Sequence, residues 1–358
     1  MRIATYNVEW FSNLFDARGR MLKDAEWSAR HNVTRADQLG SLGIVFTAMD
    51  ADAVMIVEAP DNNRRRRTVP MLEAFAARYD LRTRRAVMGF ENETQQEIAL
   101  LYDPDVLTAR HDPRGMPAPP FVPPALPADP LSPGARRAPA APRFDTTHRI
   151  DLDIDGRVDS IRFNKPPFEV AAETRSGHSL RLIGVHMKSK APRGAEGEAE
   201  TRRLAIAARR EQLAQCLWLR ERVLEHLEAG ESLVVMGDFN DGPGLDAYEK
   251  LFGRSGVEIV LGWDEPRATR LFDPHARAAL GSKLAAQPAT ARFYLDDRQQ
   301  YFSALLDYIM VSPDLRAKAP KWRIWHPFDD PGCYRTPELR EALLAASDHF
   351  PVSVDLAL

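Results

Sequence analysis

The chain has 358 residues, 44% hydrophobic and 28% charged, with 48 Lys and Arg against 51 Asp and Glu for a formal net charge of −3. That length can bury a sizeable core without staples, and the balanced charge excludes a generally basic nucleic-acid-coating protein and a highly charged disordered chain. Two cysteines, Cys216 and Cys333, exclude a disulfide framework and a Cys-rich zinc site, and a reducing compartment is the simpler reading. No run approaches the roughly 20 apolar residues of a membrane span, and the N-terminus has no leader pattern, so the expectation is a cytoplasmic protein. Arg supplies 40 of the 48 basic residues, a composition bias that weakens any argument from Arg abundance.

In chain order, Ile3–Trp10 reads as a strand. Thr34–Met49 reads as a helix with Thr34 as N-cap and Asp37 three residues on. Ala53–Glu58 is a short apolar run ending in a carboxylate, and Pro70–Tyr79 has helical period. Glu97–Tyr102 and Ser179–His186 read as strands. Glu198–Glu228, with Leu204, Ala208, Leu213, Leu217 and Leu224, reads as one long amphipathic helix. Ser232–Asp238, Ala304–Val311 and His349–Leu356 read as further strands. His111–Phe144 is rich in Pro and Ala, including Pro119-Pro120 and Pro123-Pro124, which predicts a long extended surface insertion between two strands. No repeat is visible.

Apolar strands here end in metal- or proton-competent residues: Tyr6-Asn7-Val8-Glu9, Val57-Glu58-Ala59, Val185-His186-Met187-Lys188-Ser189, Gly237-Asp238-Phe239-Asn240-Asp241, Ser347-Asp348-His349-Phe350-Pro351. Leu305-Leu306-Asp307-Tyr308-Ile309 places a carboxylate inside an apolar run. Isolated buried charge is costly, so these segments are expected to converge around a cation. Carboxylate and amide oxygens suit Mg²⁺ or Mn²⁺ and not zinc. A hard cation, imidazoles and amides together are equipment for attacking a phosphate ester. Strand alternation would put Asn7 and Glu9 on one side. Residues 7 and 349 must meet, which argues for a single domain over 1–358 with the Pro-rich insertion at about 111–144.

These six motifs, in this order from residue 3 to 352, resemble the endonuclease/exonuclease/phosphatase superfamily, whose members include deoxyribonuclease I. The resemblance implies an α/β fold, a four-layer α/β/β/α sandwich of two mixed sheets, with the site at one edge. It implies Glu58 as principal metal ligand, Asp348 as a metal-associated carboxylate, and Asn7 and Glu9 near metal and phosphate. It implies that Asp238 and Asn240 position the attacking water and phosphate and that His349 is oriented by Asp307. His186 is similar to the second histidine of the deoxyribonuclease I branch, Glu97 sits where that histidine's orienting partner is expected, and Lys165 falls where the branch has a phosphate-binding Arg. Lys188 joins Lys165 as a candidate phosphate contact.

The function expected is a Mg²⁺- or Mn²⁺-dependent phosphodiesterase or nuclease, with nucleic acid or another phosphodiester as partner. One alternative is a phosphatase or phosphodiesterase of a small molecule or lipid headgroup; another is a non-enzymatic binding protein on the same fold. Arg64–Arg67 reads as a solvated run before a helix. Lys190 and Arg193 are better placed to meet a substrate, and Arg202, Arg203, Arg209 and Arg210, interleaved with Glu198, Glu200 and Glu211, read as a salt-bridged solvated face. The sequence carries no sign of oligomeric state.

Overall fold

Alternating side chains along the strands build the protein from two sheets. The computed structural model describes residues 1–115, 140–152, 158–191, 194–243, 249–281, 287–295 and 299–358. In chain order its strands are β1 (Arg2–Asn7), β2 (Ala53–Ala59), β3 (Arg85–Met88), β4 (Glu97–Tyr102), β5 (Leu107–His111), β6 (Thr147–Asp151), β7 (Val158–Arg162) and β8 (Phe168–Thr174). They continue with β9 (Ser179–His186), β10 (Leu233–Asp238), β11 (Ala291–Leu295), β12 (Gln300–Ala304), β13 (Asp307–Val311), β14 (Lys321–Ile324) and β15 (Val352–Asp355). The helices are α1 (Arg35–Met49), α2 (Thr68–Arg78), α3 (Glu198–Glu228), α4 (Glu249–Phe252), α5 (Gly256–Leu261), α6 (Pro274–Gly281), α7 (Pro313–Ala317), α8 (Pro331–Arg335) and α9 (Pro337–Ala346).

One sheet has the order β14-β15-β1-β2-β4-β3 and the other β13-β10-β9-β8-β5. Each is mixed: β1–β2 and β9–β10 are parallel and the remaining pairs antiparallel. Along β1 and β2, Ile3, Ala53 and Met55 point between the sheets, whereas Ala4, Tyr6, Val54 and Ile56 point out beneath α1, α2 and α9. Along β9 and β10, Leu182, Val234 and Met236 face the other sheet, whereas Ile183, Val185, Leu233 and Val235 face α3 and α5. Burial of both faces of both sheets yields four layers, α/β/β/α. The sheets approach closely at Gly184, where an added Cβ would come within 2.5 Å of the Met55 sulfur. β1 lies between β15 and β2, and the Met1 ammonium donates to the Leu356 carbonyl at 2.7 Å.

Three sequence expectations change. The first strand stops at Asn7 because Glu9 (φ 21°) and Trp10 (φ 59°) turn the backbone left-handed, so Asn7 and Glu9 do not alternate on one strand. The Ala304–Val311 run is two strands, β12 and β13, divided at Leu305-Leu306; Thr290 Oγ1 accepts from the Leu306 and Asp307 amides at 2.9 Å there. The final strand begins at Val352, not His349. Most of the Pro-rich segment, residues 116–139, lies outside the described residues. Its flanks end β5 at His111 and precede β6 at Thr147, with Phe144 buried against Phe163 and Trp218. Among the described residues no helix is long and apolar enough to cross a membrane.

Candidate active site

The strand parity that sends Ile3, Leu182, Met236 and Ile309 into the space between the sheets also sends Asn7, His186, Asp238 and Asp307 into its open edge. Asp238 is the register partner of His186 on one side and Asp307 on the other. Asp238 is fully buried, and its Oδ2 accepts from Asn7 Nδ2 and from Asn240 Nδ2, both at 3.1 Å. Its Oδ1 accepts from the Asn240 amide at 2.7 Å. Asn240 sits at φ 48°, which turns its amide back onto Asp238 and onto the Met187 carbonyl. His186 Nε2 lies 3.6 Å from Asp238 Oδ2, and His349 Nε2 4.0 Å from the same oxygen. His349 Nδ1 donates to Asp307 Oδ2 at 2.7 Å.

Glu58 occupies a β-bulge in β2: Val57 pairs with Ile98 and Ala59 with Glu97, leaving Glu58 unpaired at φ 60°. That twist aims its carboxylate into the cavity, where Oε2 accepts from the Trp10 amide at 3.1 Å and Oε1 is 4.0 Å from His186 Nε2. Lys165 follows β7 and sets its Nζ 2.9 Å from His186 Nε2 and 3.1 Å from Nδ1, against the ring edge. Asp348 Oδ1 lies 3.9 Å from His349 Nε2. A cavity of about 820 Å³ joins Asn7, Glu9, Glu58, Lys165, Lys188, His186, Asp238, Asn240, Asp348 and His349.

Charge in this cavity is unbalanced. Among the described residues Glu9, Glu58, Asp238, Asp307 and Asp348 gather with Arg30, Lys165 and a protonatable His349, while Lys188 is paired with Glu211, so negative charge is in excess. Burial pushes Glu58 above its ordinary value, with the Trp10 amide opposing, and pushes Asp238 up to about 7, with His349 opposing. Burial disfavours the charged form of His349, but Asp307, then Asp238 and Asp348, win and hold it well above the ordinary value. Asp307 Oδ1 and Asp348 Oδ1 are buried with no hydrogen-bond partner among the described residues. All-oxygen donors, orphaned acceptors and excess negative charge fit a hard divalent cation. Glu58 and Asp348 both line this cavity and could hold it. One oxygen each of Asp238 and Asp307 and a His349 nitrogen also lie within 4.8 Å of one another, but His349 and Asp307 spend theirs on each other.

Glu97 stands differently from expectation, while Glu9 and Asn7 line the cavity and are also bonded within the protein. Glu97 is buried at the start of β4, and among the described residues its carboxylate accepts from the Asn62 amide and from Asn92, with Asn92 Nδ2 at 2.7 Å; it does not hold His186. Glu9 Oε2 is taken by Arg30 and by the Asp348 amide, so it braces the Asp348 loop. Asn7 spans the Glu9 amide and Asp238, spending both ends of its side chain within the protein. Lys188 stands at the rim, 3.4 Å from Glu211. Lys190 pairs with the buried Asp241. Arg209 is buried beside Asp241, so it does not belong to a solvated face. Arg193 lies outside the described residues.

Arg30 was not legible: one arginine in an Arg-rich loop carries no local signal, yet it is buried, pairs with Glu9 and donates to the Leu344 carbonyl at 3.0 Å. Trp10, Phe293, Leu295, Leu204, Ala207 and Ala208 complete the cavity wall; their apolar character alone marks them only as buried.

Residues 4–349 match the sequence profile of the Endonuclease/Exonuclease/phosphatase family. No curated protein matches the chain. Among solved structures it is similar to a 3′ phosphatase, NExo, from Neisseria bound to product DNA hairpin, at 14% identity and TM-score 0.48 over 100% of both chains. It is also similar to TDP2 from Caenorhabditis elegans (13%, 0.47, 100% of this chain and 74% of that one) and to the human Nocturnin catalytic domain (14%, 0.47, 100% and 94%). With nearly its whole length matched and its polar strand ends gathered at one sheet edge, the chain belongs to the endonuclease/exonuclease/phosphatase family, whose fold is that of phosphoester hydrolases.

Proposed function

We propose that the protein is a divalent-metal-dependent phosphodiesterase acting on nucleic acid by direct in-line attack of water. The observation that carries this reading is buried Asp238, gripped by Asn7 and Asn240 and flanked by two imidazoles and Lys165. Glu58 and Asp348 would hold Mg²⁺ or Mn²⁺, which neutralises charge developing on the phosphate when bound.

Asp238, raised to about 7 and fixed by two amides, accepts the proton as the water oxygen bonds to phosphorus. His349 is held protonated by Asp307, so it donates to a non-bridging oxygen instead of serving as base. Lys165 against the His186 ring supplies the proton that the leaving oxygen takes as its bond to phosphorus breaks. No covalent enzyme intermediate is needed.

The test is turnover of plasmid DNA, single-stranded DNA, RNA, bis-p-nitrophenyl phosphate and p-nitrophenyl phosphate with Mg²⁺ and with Mn²⁺. Diester cleavage that EDTA abolishes and metal restores is expected. Cleavage of monoester alone would replace the reading with a phosphatase, and turnover persisting in metal-free protein would remove the cation from it.

A further inference from the structure

The β11–β12 ribbon carries aromatic side chains on both faces. One face turns Phe293 and Leu295 into the cavity. On the other, the Arg292 guanidinium lies 3.7 Å from the Tyr301 ring centroid and 5.7 Å from that of Phe328. Tyr294 meets Tyr301 edge-on at 5.2 Å and stacks at 4.4 Å, with 22° between planes, on the exposed His31. Tyr301 is 50% exposed and Phe328 45%. Half-exposed rings arranged around an arginine bury little area and do not serve the core. The strip is continuous with the catalytic centre: Arg292 donates its amide to the Asp348 carbonyl at 2.6 Å, and Ala291 bridges to His349.

We propose that this strip binds single-stranded nucleic acid, with Tyr301 and Phe328 stacking on unpaired bases and Arg292 holding the backbone beside them. Every base has a face on which a ring can stack, and a cation among rings adds attraction for phosphate. A duplex keeps those faces inside its own stack and offers none to Tyr301 or Phe328. The bound strand then runs from the strip to the phosphate at Asp238. Position favours this occupant over a lipid surface: the strip runs directly into the cavity read as a phosphodiester site, its Arg292 amide bonded to Asp348 and its Ala291 bridged to His349. The inference rests on the phosphodiesterase reading of the adjoining cavity, but its test needs no turnover.

The experiment is fluorescence anisotropy in EDTA with the full chain, using a labelled 12-nucleotide thymidine strand, a duplex of mixed sequence and vesicles of phosphatidylserine and phosphatidylcholine. Wild type should bind the single strand more tightly than the duplex. Y301A/F328A should lose roughly tenfold or more of single-strand affinity, while Y301F, which keeps the ring, should retain it. Circular dichroism and melting temperature establish that each variant folds. Equal affinity for strand and duplex, wild-type affinity in the folded double variant, or binding to vesicles and not to the strand would overturn the proposal. Binding of the strand without cleavage in Mg²⁺ or Mn²⁺ would support the strip and defeat the hydrolase reading alone.

Discussion

Asp238 is the buried acid on which the proposed chemistry turns, and its neighbours explain why. Asn7 and Asn240 fix both oxygens, so D238N keeps the hydrogen bonds of one oxygen and removes the proton acceptor. It is expected to lower kcat on a diester by roughly 10²-fold or more with little change in melting temperature. A near wild-type rate would place the base elsewhere. Glu97 is a separate case. Burial lifts its carboxyl to about 7 against the Asn62 and Asn92 amides. The folded protein therefore holds a proton there that the unfolded chain releases above the ordinary carboxylate range. Stability from this group is full below pH 4.5 and is lost as pH rises through about 7. Melting temperatures across that window should fall in wild type more steeply than in E97Q; parallel curves would show that Glu97 does not titrate there.

Helices and strands were legible where local chemistry marks both ends. Thr34 accepts from the Asp37 amide and starts α1 where the sequence places it. T34A should cost about 1 kcal/mol in a denaturant titration, the usual size of a lost cap, and an unchanged midpoint would assign α1's stability to packing on α9 alone. The bounds of β4, β9 and α3 also coincide with the sequence reading, because each is an unbroken periodic run. The ribbon β11–β12 was hidden for the opposite reason. Leu305 and Leu306 continue the apolar run into Asp307, and the Thr290 hydroxyl, outside that run, takes the Leu306 and Asp307 amides at the break between β12 and β13. The bulge at Glu58 was equally silent, since the motif shows an acid at a strand end but not the φ that turns it inward.

The packing of the two sheets decides where these strand ends arrive. The motifs revealed which residues gather, because charge left alone in a core is too costly to persist. They could not reveal that Glu97 and Glu9 would be claimed by Asn92 and Arg30, contacts made between loops and set only by the finished arrangement. The two sheets lie close at Gly184, so G184V must displace Met55 and Ile98. Overpacking of this kind typically costs about 1–3 kcal/mol, and diester turnover should fall beyond the loss of stability as His186 shifts against Glu58. A folded G184V with wild-type kcat would show that the sheets slide freely beneath the site.

The place of β1, threaded between β2 and the last strand, bears on biosynthesis. A ribosome releases Asn7 early and Asp348 with His349 hundreds of codons later, yet both must touch the same small volume. Nascent chains that stop before residue 349 therefore lack a side chain of the proposed site, and the proposed activity would wait until that residue has emerged and packed beside Asn7. A chain cut after Ala346 should be inert even if its first sheet partners form.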